Sequence, residues 1–148
     1  MKLVSTVYGY DVAYKSYRET EGLLKAFPDL NGIITPTSVG IVAAAKAIVD
    51  KGLVGKVFVT GLGLPSEMKG AVLAGATDTF AIWNPIDLGY SATMICGKII
   101  RGEATGLAGT SVKAGRMGEI KIGDKNEAAM ADPFTFDKSN IEQFAKIF

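Results

Sequence analysis

One stretch constrains this chain more than any other: Thr35-Pro36-Thr37-Ser38-Val39-Gly40. It separates an apolar run ending in Ile33-Ile34 from a helical pattern that begins with Ile41, Val42 and three alanines. Pro36 disfavours helical backbone at Thr35 and stops the strand before it. Ser38 is placed to cap the next helix through its hydroxyl. The stretch therefore predicts strand, tight turn and helix. In an open parallel sheet such a turn lies at the carboxyl edge of the strands, where ligands bind.

The same unit recurs along the chain. Residues 3–8 alternate and are rich in β-branched side chains, which predicts a strand. Asp11 is placed to cap a helix whose apolar face holds Ala13, Tyr17, Thr20, Leu24 and Phe27, and Pro28 closes it. Residues 30–35 are the second strand and 38–50 the second helix, stopped by Lys51-Gly52. Residues 56–60 are the third strand. A turn follows, and Ser66 caps a short helix that reaches Ala74 and stops at Gly75. Residues 77–83 are the fourth strand, Asn84-Pro85 the turn and 86–101 the fourth helix. Strands alternating with helices predict a three-layer α/β/α architecture with a mainly parallel sheet.

After Gly102 the character changes. Residues 102–118 are rich in glycine, alanine and threonine and read as a loop. Short strands are expected at 119–122 and 133–136, a polar loop at 123–132 and a helical turn at 139–147. This tail has too few apolar residues to fold alone, so it must lie on the body or on another surface.

Composition removes several classes of function. No histidine is present, which excludes Ser-His and Cys-His catalysis and most zinc sites. Net charge is +1, from 16 basic and 15 acidic residues spread along the chain, so no basic stripe invites nucleic acid. The single cysteine, Cys96, excludes an internal disulfide and is expected to be a buried, inert thiol among Met94, Ile95 and Ile99. Met1-Lys2-Leu3-Val4 lacks the long apolar core of a signal peptide. Residues 79–97 carry one charge, Asp87, but Asn84-Pro85 breaks them, so a core strand and a core helix explain them better than a membrane span.

The predicted turns offer Tyr8, then Pro36-Thr37-Ser38, then Gly61-Leu62-Gly63, then Trp83-Asn84. These are hydroxyls, one amide and backbone N–H groups, with no carboxylate pair and no lysine. They suit a neutral polar ligand and are poorly equipped for acid–base work. Catalytic, cofactor and metal sites are accordingly expected to be absent. Gly61-Leu62-Gly63 starts like a dinucleotide fingerprint, but the sixth position is Ser66 and the turn follows the third strand. No Gly-Lys-Ser or Gly-Lys-Thr ends a phosphate loop. A phosphoacceptor receiver would need acidic residues where Tyr8 and Thr60 stand. Trp83 is either an aromatic at the edge of the core or a flat surface for a sugar ring with its N–H free. Asn84 either caps the helix opened by Pro85 or meets a hydroxyl that both gives and takes. Thr37 and Ser38 share that ambiguity.

Thr60-Gly61-Leu62-Gly63-Leu64-Pro65, Phe80-Ala81-Ile82-Trp83-Asn84-Pro85-Ile86-Asp87-Leu88-Gly89-Tyr90, Lys113-Ala114-Gly115-Arg116-Met117-Gly118-Glu119 and Pro133-Phe134-Thr135-Phe136 resemble the sugar-binding proteins of ABC importers. The nearest branch is the rhamnose-binding proteins, with autoinducer-2 receptors near by. The resemblance implies one lobe of a type I periplasmic binding protein. Such proteins have two α/β lobes joined by a hinge, with ligand closed between them. It implies that residues 1–148 form the carboxyl-terminal lobe: a core at about 1–83, a helix at 84–105 that packs on an amino-terminal lobe, and a hinge-crossing tail at 106–148. Pro36 and Ser38 match positions that touch ligand, mostly by main chain. Gly63 falls where pentose-binding relatives place an aspartate, and Asn84 where relatives use aspartate or glutamine.

The expected ligand-binding set is Pro36, Thr37, Ser38, Gly63, Trp83 and Asn84. The implied partners are a small sugar, an amino-terminal lobe and an ABC permease. The implied setting is the periplasm, or the outer surface by a lipid anchor. The fourth helix carries two apolar rows, Leu88-Ala92-Ile95-Ile99 and Ile86-Tyr90-Met94, so a homodimer that buries it is expected. Two other readings stand beside this one: a self-associating structural lobe without ligand, and a small α/β enzyme.

Overall fold

The computed structural model describes residues 1–147. They fall into two compact units, one of Met1–Ile82 together with the chain's end from Thr135, the other of Trp83–Phe134. In the first unit, β1 (Gly32–Thr35) and β2 (Phe58–Gly61) pair in parallel, with Ile33 opposite Val59 and Thr35 opposite Gly61. Alternation sorts their side chains: Ile33 and Val59 are buried, Ile34 and Phe58 exposed. A parallel bridge from Leu62 to Ala81 carries the pairing on to β3 (Phe80–Ile82). β3 in turn pairs with β6 (Phe134–Phe136), whose last two residues belong to this unit. The expected α/β class with parallel pairing is therefore present.

Helices supply the rest of this core. α2 (Ser38–Asp50) has the expected bounds and buries Ile41, Ala44, Ala45 and Ile48. α3 (Pro65–Ala74) adds Met68 and Val72 and ends, as expected, at Gly75 in the left-handed conformation (φ 80°). Its start differs from expectation. Pro65, not Ser66, opens it, since proline at the first position is already set to the helical φ, and no side chain caps it because the cap position is Leu64, which carries no acceptor. α5 (Ile141–Phe144) contributes Ile141. The Phe136 ring stacks on Phe80 at 5.2 Å and meets Phe144 edge-on at 5.3 Å.

α1 (Ala13–Ala26) packs on α2. The Tyr17 hydroxyl donates to Asp50 Oδ2 at 2.9 Å, Lys46 donates to the same oxygen at 2.8 Å, and Lys51 pairs with Glu21 at 2.6 Å. Asp11 does not cap α1. It lies in the left-handed region (φ 56°), and Val12 occupies the cap position. Residues 3–8 do not form the expected strand. A strand needs a ladder partner, and among the described residues none pairs with this segment; Leu3, Val4, Val7 and Tyr8 stay exposed.

The second unit holds α4 (Pro85–Ile100), β4 (Ser111–Lys113), a 3₁₀ turn (Gly115–Met117) and β5 (Glu119–Lys121). β4 and β5 are antiparallel, with Val112 opposite Ile120 and both side chains buried. The loop expected over 102–118 thus contains a strand, formed because β5 offers it a partner. Cys96 is exposed, not buried. The buried face of α4 runs through Ser91, and five residues on lie about 140° round the helix. Among the described residues, no helix is long and apolar enough to cross a membrane.

Gly61 holds the end of β2 at φ 144°, and a Cβ there would sit 1.8 Å from the Thr35 carbonyl oxygen. Gly61→Ala is therefore expected to destabilise the chain by at least about 2 kcal/mol in urea unfolding. Gly70, inside α3 with open space around it, is the control: Gly70→Ala should stabilise by about 0.5–1 kcal/mol. Equal effects at the two positions would contradict the close approach.

The Asp50 carboxyl is held below its ordinary 3.8, first by the Lys46 hydrogen bond and then by that of Tyr17. A depressed folded pKa contributes stability above the unfolded value and loses it as pH falls through the folded one. Asp50→Asn should melt below the parent at pH 7, and the gap should close as pH drops below 3.8. A gap independent of pH would assign the effect to packing.

Candidate functional site

In the first unit the parallel register brings the turns after β1 and β2 to one edge. Thr35 lies opposite Gly61, and the Leu62 N–H donates to the Thr35 carbonyl at 3.1 Å. Pro36 and Thr37 are exposed there and Ser38 is half-buried. The residue that caps α2 is Thr37, not Ser38: Thr37 Oγ1 accepts from Gly40 N at 3.0 Å, and the Thr37 carbonyl accepts from Ile41 N. Pro36 keeps its neighbours extended, so the cap moves to the last non-helical residue, and Ser38 is the first residue of the helix. The Thr37 hydroxyl keeps its proton for donation.

Gly63 shares this edge but is buried. Its N–H donates to the Ala81 carbonyl at 3.3 Å, and a Cβ would meet Met68 and Ile41 at 2.9 and 3.0 Å. Glycine at 63 therefore lets the turn close over the core. Sequence reasoning did not single out Thr35. Its hydroxyl ends β1 buried and without a partner. A polar residue at the end of an apolar strand is the signal that could have found it.

Trp83 and Asn84 open the second unit. Trp83 is partly exposed, and its indole N–H is not free: it donates to the Ala131 carbonyl at 3.1 Å. Asn84 caps α4, Oδ1 accepting from Ile86 N at 3.0 Å and Asp87 N at 3.4 Å, while Nδ2 donates to Asp87 Oδ2 at 2.9 Å. Arg116 pairs with the other oxygen of Asp87. Asp87 and Arg116 were not singled out from the sequence, because 29 residues separate them and only the folded unit brings them together.

Concavities of about 270 Å³ lie elsewhere within each unit. One is between α2 and α3, lined by Val42, Lys46, Asp50 and Glu67, among others. The other is against α4, lined by Leu88, Ser91, Ile95 and Met130, among others. Neither includes any of the six expected ligand residues.

The sequence matches the family described as periplasmic binding protein domain over residues 1–104. Among solved structures it is similar to a sugar ABC transporter protein from Actinomyces odontolyticus, with 42% identity, a TM-score of 0.81, and coverage of 97% of this chain and 46% of that one. An ABC transporter solute-binding protein from Clostridium phytofermentas with bound L-rhamnose is 38% identical, with a TM-score of 0.89 over 99% of this chain and 50% of that one. LsrB from Clostridium saccharobutylicum in complex with AI-2, at 21% identity, shares the fold, with a TM-score of 0.75 over 93% of this chain and 46% of that one. The chain thus spans about half the length of the solved structures it matches.

The two caps generate a stability test. Thr37→Ala and Asn84→Ala should each cost about 0.5–2 kcal/mol in chemical unfolding. Ser38→Ala should cost under about 0.5 kcal/mol. A loss at Ser38 as large as that at Thr37 would contradict the assignment of the cap.

Proposed function

The chain belongs to the periplasmic-binding-protein domain family, and on that premise we propose that it is the carboxyl-terminal half of the sugar-binding component of an ABC importer, taking a rhamnose-like sugar. One observation carries the reading: 38% identity across 99% of the chain to a solute-binding protein with bound L-rhamnose. In this reading Pro36, Thr37, Ser38 and Gly63 belong to the ligand-facing edge of the first unit. Trp83 offers its ring face, and Asn84 a hydrogen-bond donor. The protein works in the periplasm or on the outer surface, delivers sugar to a permease and catalyses nothing. Residues 1–83 are the core of the lobe, the α4 region packs on an amino-terminal lobe, and the tail recrosses the hinge.

The exposed apolar side chains of α4 support cover by another surface: Ile86 is 66% and Ile100 80% exposed, with Leu88 and Ile99 also open. They equally favour a second reading, in which two copies of the chain associate through this helix, by exchange of helix or tail, and no ligand binds.

A closed cleft buries most of a small ligand and needs two walls. Isothermal titration of the chain with L-rhamnose should therefore give a dissociation constant near millimolar, and light scattering during size exclusion should report about twice 15.6 kDa. With an amino-terminal lobe supplied, Trp83→Ala and Asn84→Ala should weaken binding more than Thr37→Ala. Small, equal losses at all three would remove the Trp83-Asn84 segment from the site. A dimer that takes no sugar even with that lobe would favour the structural reading.

A further inference from the structure

Asn84 is held by a relay that leaves its side chain a single way to meet a ligand. Its Oδ1 already accepts two backbone N–H groups, from Ile86 and Asp87. One of its two amide protons is spent on Asp87 Oδ2. Turning the amide over would set the NH₂ against two N–H donors and the carbonyl against a carboxylate, so one orientation is strongly preferred. Asp87 is itself fixed. Arg116 Nη2 donates to Asp87 Oδ1, the Arg116 guanidinium lies 4.0 Å from the centre of the Tyr90 ring, and the Arg116 N–H donates to the Tyr90 hydroxyl at 3.4 Å. Every link of this relay lies within the second unit.

We propose that Asp87 and Arg116 are positioning residues for the sugar site, locking Asn84 so that it offers ligand one N–H and no acceptor. The ligand atom that meets it is then an acceptor oxygen: a ring oxygen, a carbonyl, or a hydroxyl whose own proton points elsewhere. The backbone N–H groups of Ile86 and Asp87 are occupied by Asn84, so this is not an anion site at a helix terminus. The proposal deepens the sugar-binding reading and rests on it for the identity of the ligand.

The test is ¹⁵N–¹H spectroscopy of the full chain with the Asn84 side-chain amide assigned. The parent should show two sharp, widely separated Nδ2 protons. Asp87→Ala and Arg116→Met should bring them together, and Arg116→Lys should restore part of the separation. Titration with L-rhamnose should move the outer proton and leave the Asp87-bound one in place. Asp87→Ala should weaken that response about threefold to tenfold. Asn84→Asp, which keeps the capping oxygen but has no N–H, should abolish the heat of L-rhamnose binding in isothermal titration while the Ile86 amide stays at its capped position. If Asp87→Ala does not fold, Arg116→Met carries the same comparison. Amide protons unchanged in both variants would falsify the lock, and movement of the Asp87-bound proton alone would overturn the donor assignment. An intact lock that no concentration of L-rhamnose perturbs, even with an amino-terminal lobe supplied, would overturn the sugar reading and leave the lock standing.

Discussion

The contact between the Thr35 carbonyl and Gly61 is the constraint on which the first unit depends. The two residues are register partners at the ends of parallel strands, and only the lack of a Cβ lets them approach so closely. The same carbonyl takes the Leu62 N–H, and two residues on Gly63 gives its own N–H to Ala81. The turns at this edge are therefore stitched to the sheet by main chain. On the inner side, the side chains of Met68, Ile41 and Phe80 close round Gly63. Pro36 and Thr37 are exposed at this edge, and Thr37 holds the start of α2 through its cap.

Elements decided by local signals were legible in the sequence. The bounds of α2, the glycine stop of α3 and the Asn84 cap of α4 each follow from a few adjacent residues. Elements decided by partners were not. Residues 3–8 have every local property of a strand and no ladder to join. Residues 111–113 have little strand signal and become one because β5 lies opposite. Cys96 has apolar neighbours in sequence but is exposed.

The candidate residues were legible to the same depth. The turns that carry them followed from the alternation of strands and helices. Which groups are free did not, because that depends on contacts distant in sequence. The Trp83 indole N–H is spent on Ala131, 48 residues away, and Asp87 is fixed by Arg116, 29 residues away. Thr37 takes the cap from Ser38 by a shift of one residue, a difference that dihedral angles settle and composition does not.

What those contacts leave behind bears on affinity. On the proposed sugar-binding reading, Trp83 and Asn84 have an aromatic face and one N–H left for ligand after their internal bonds. A stacked ring contributes about 0.5–1.5 kcal/mol beyond its buried area, and one hydrogen bond about 0.5–1.5 kcal/mol. Micromolar binding needs about 8 kcal/mol. Even with the buried area of the ring, worth about 1.5–3 kcal/mol, these contributions stay below that figure, and an aromatic face with a single donor discriminates poorly among sugars that differ in the direction of a hydroxyl. On the proposed sugar-binding reading, the remaining affinity and selectivity come from a second wall of the cleft, for which the exposed apolar side chains of α4 offer a docking place.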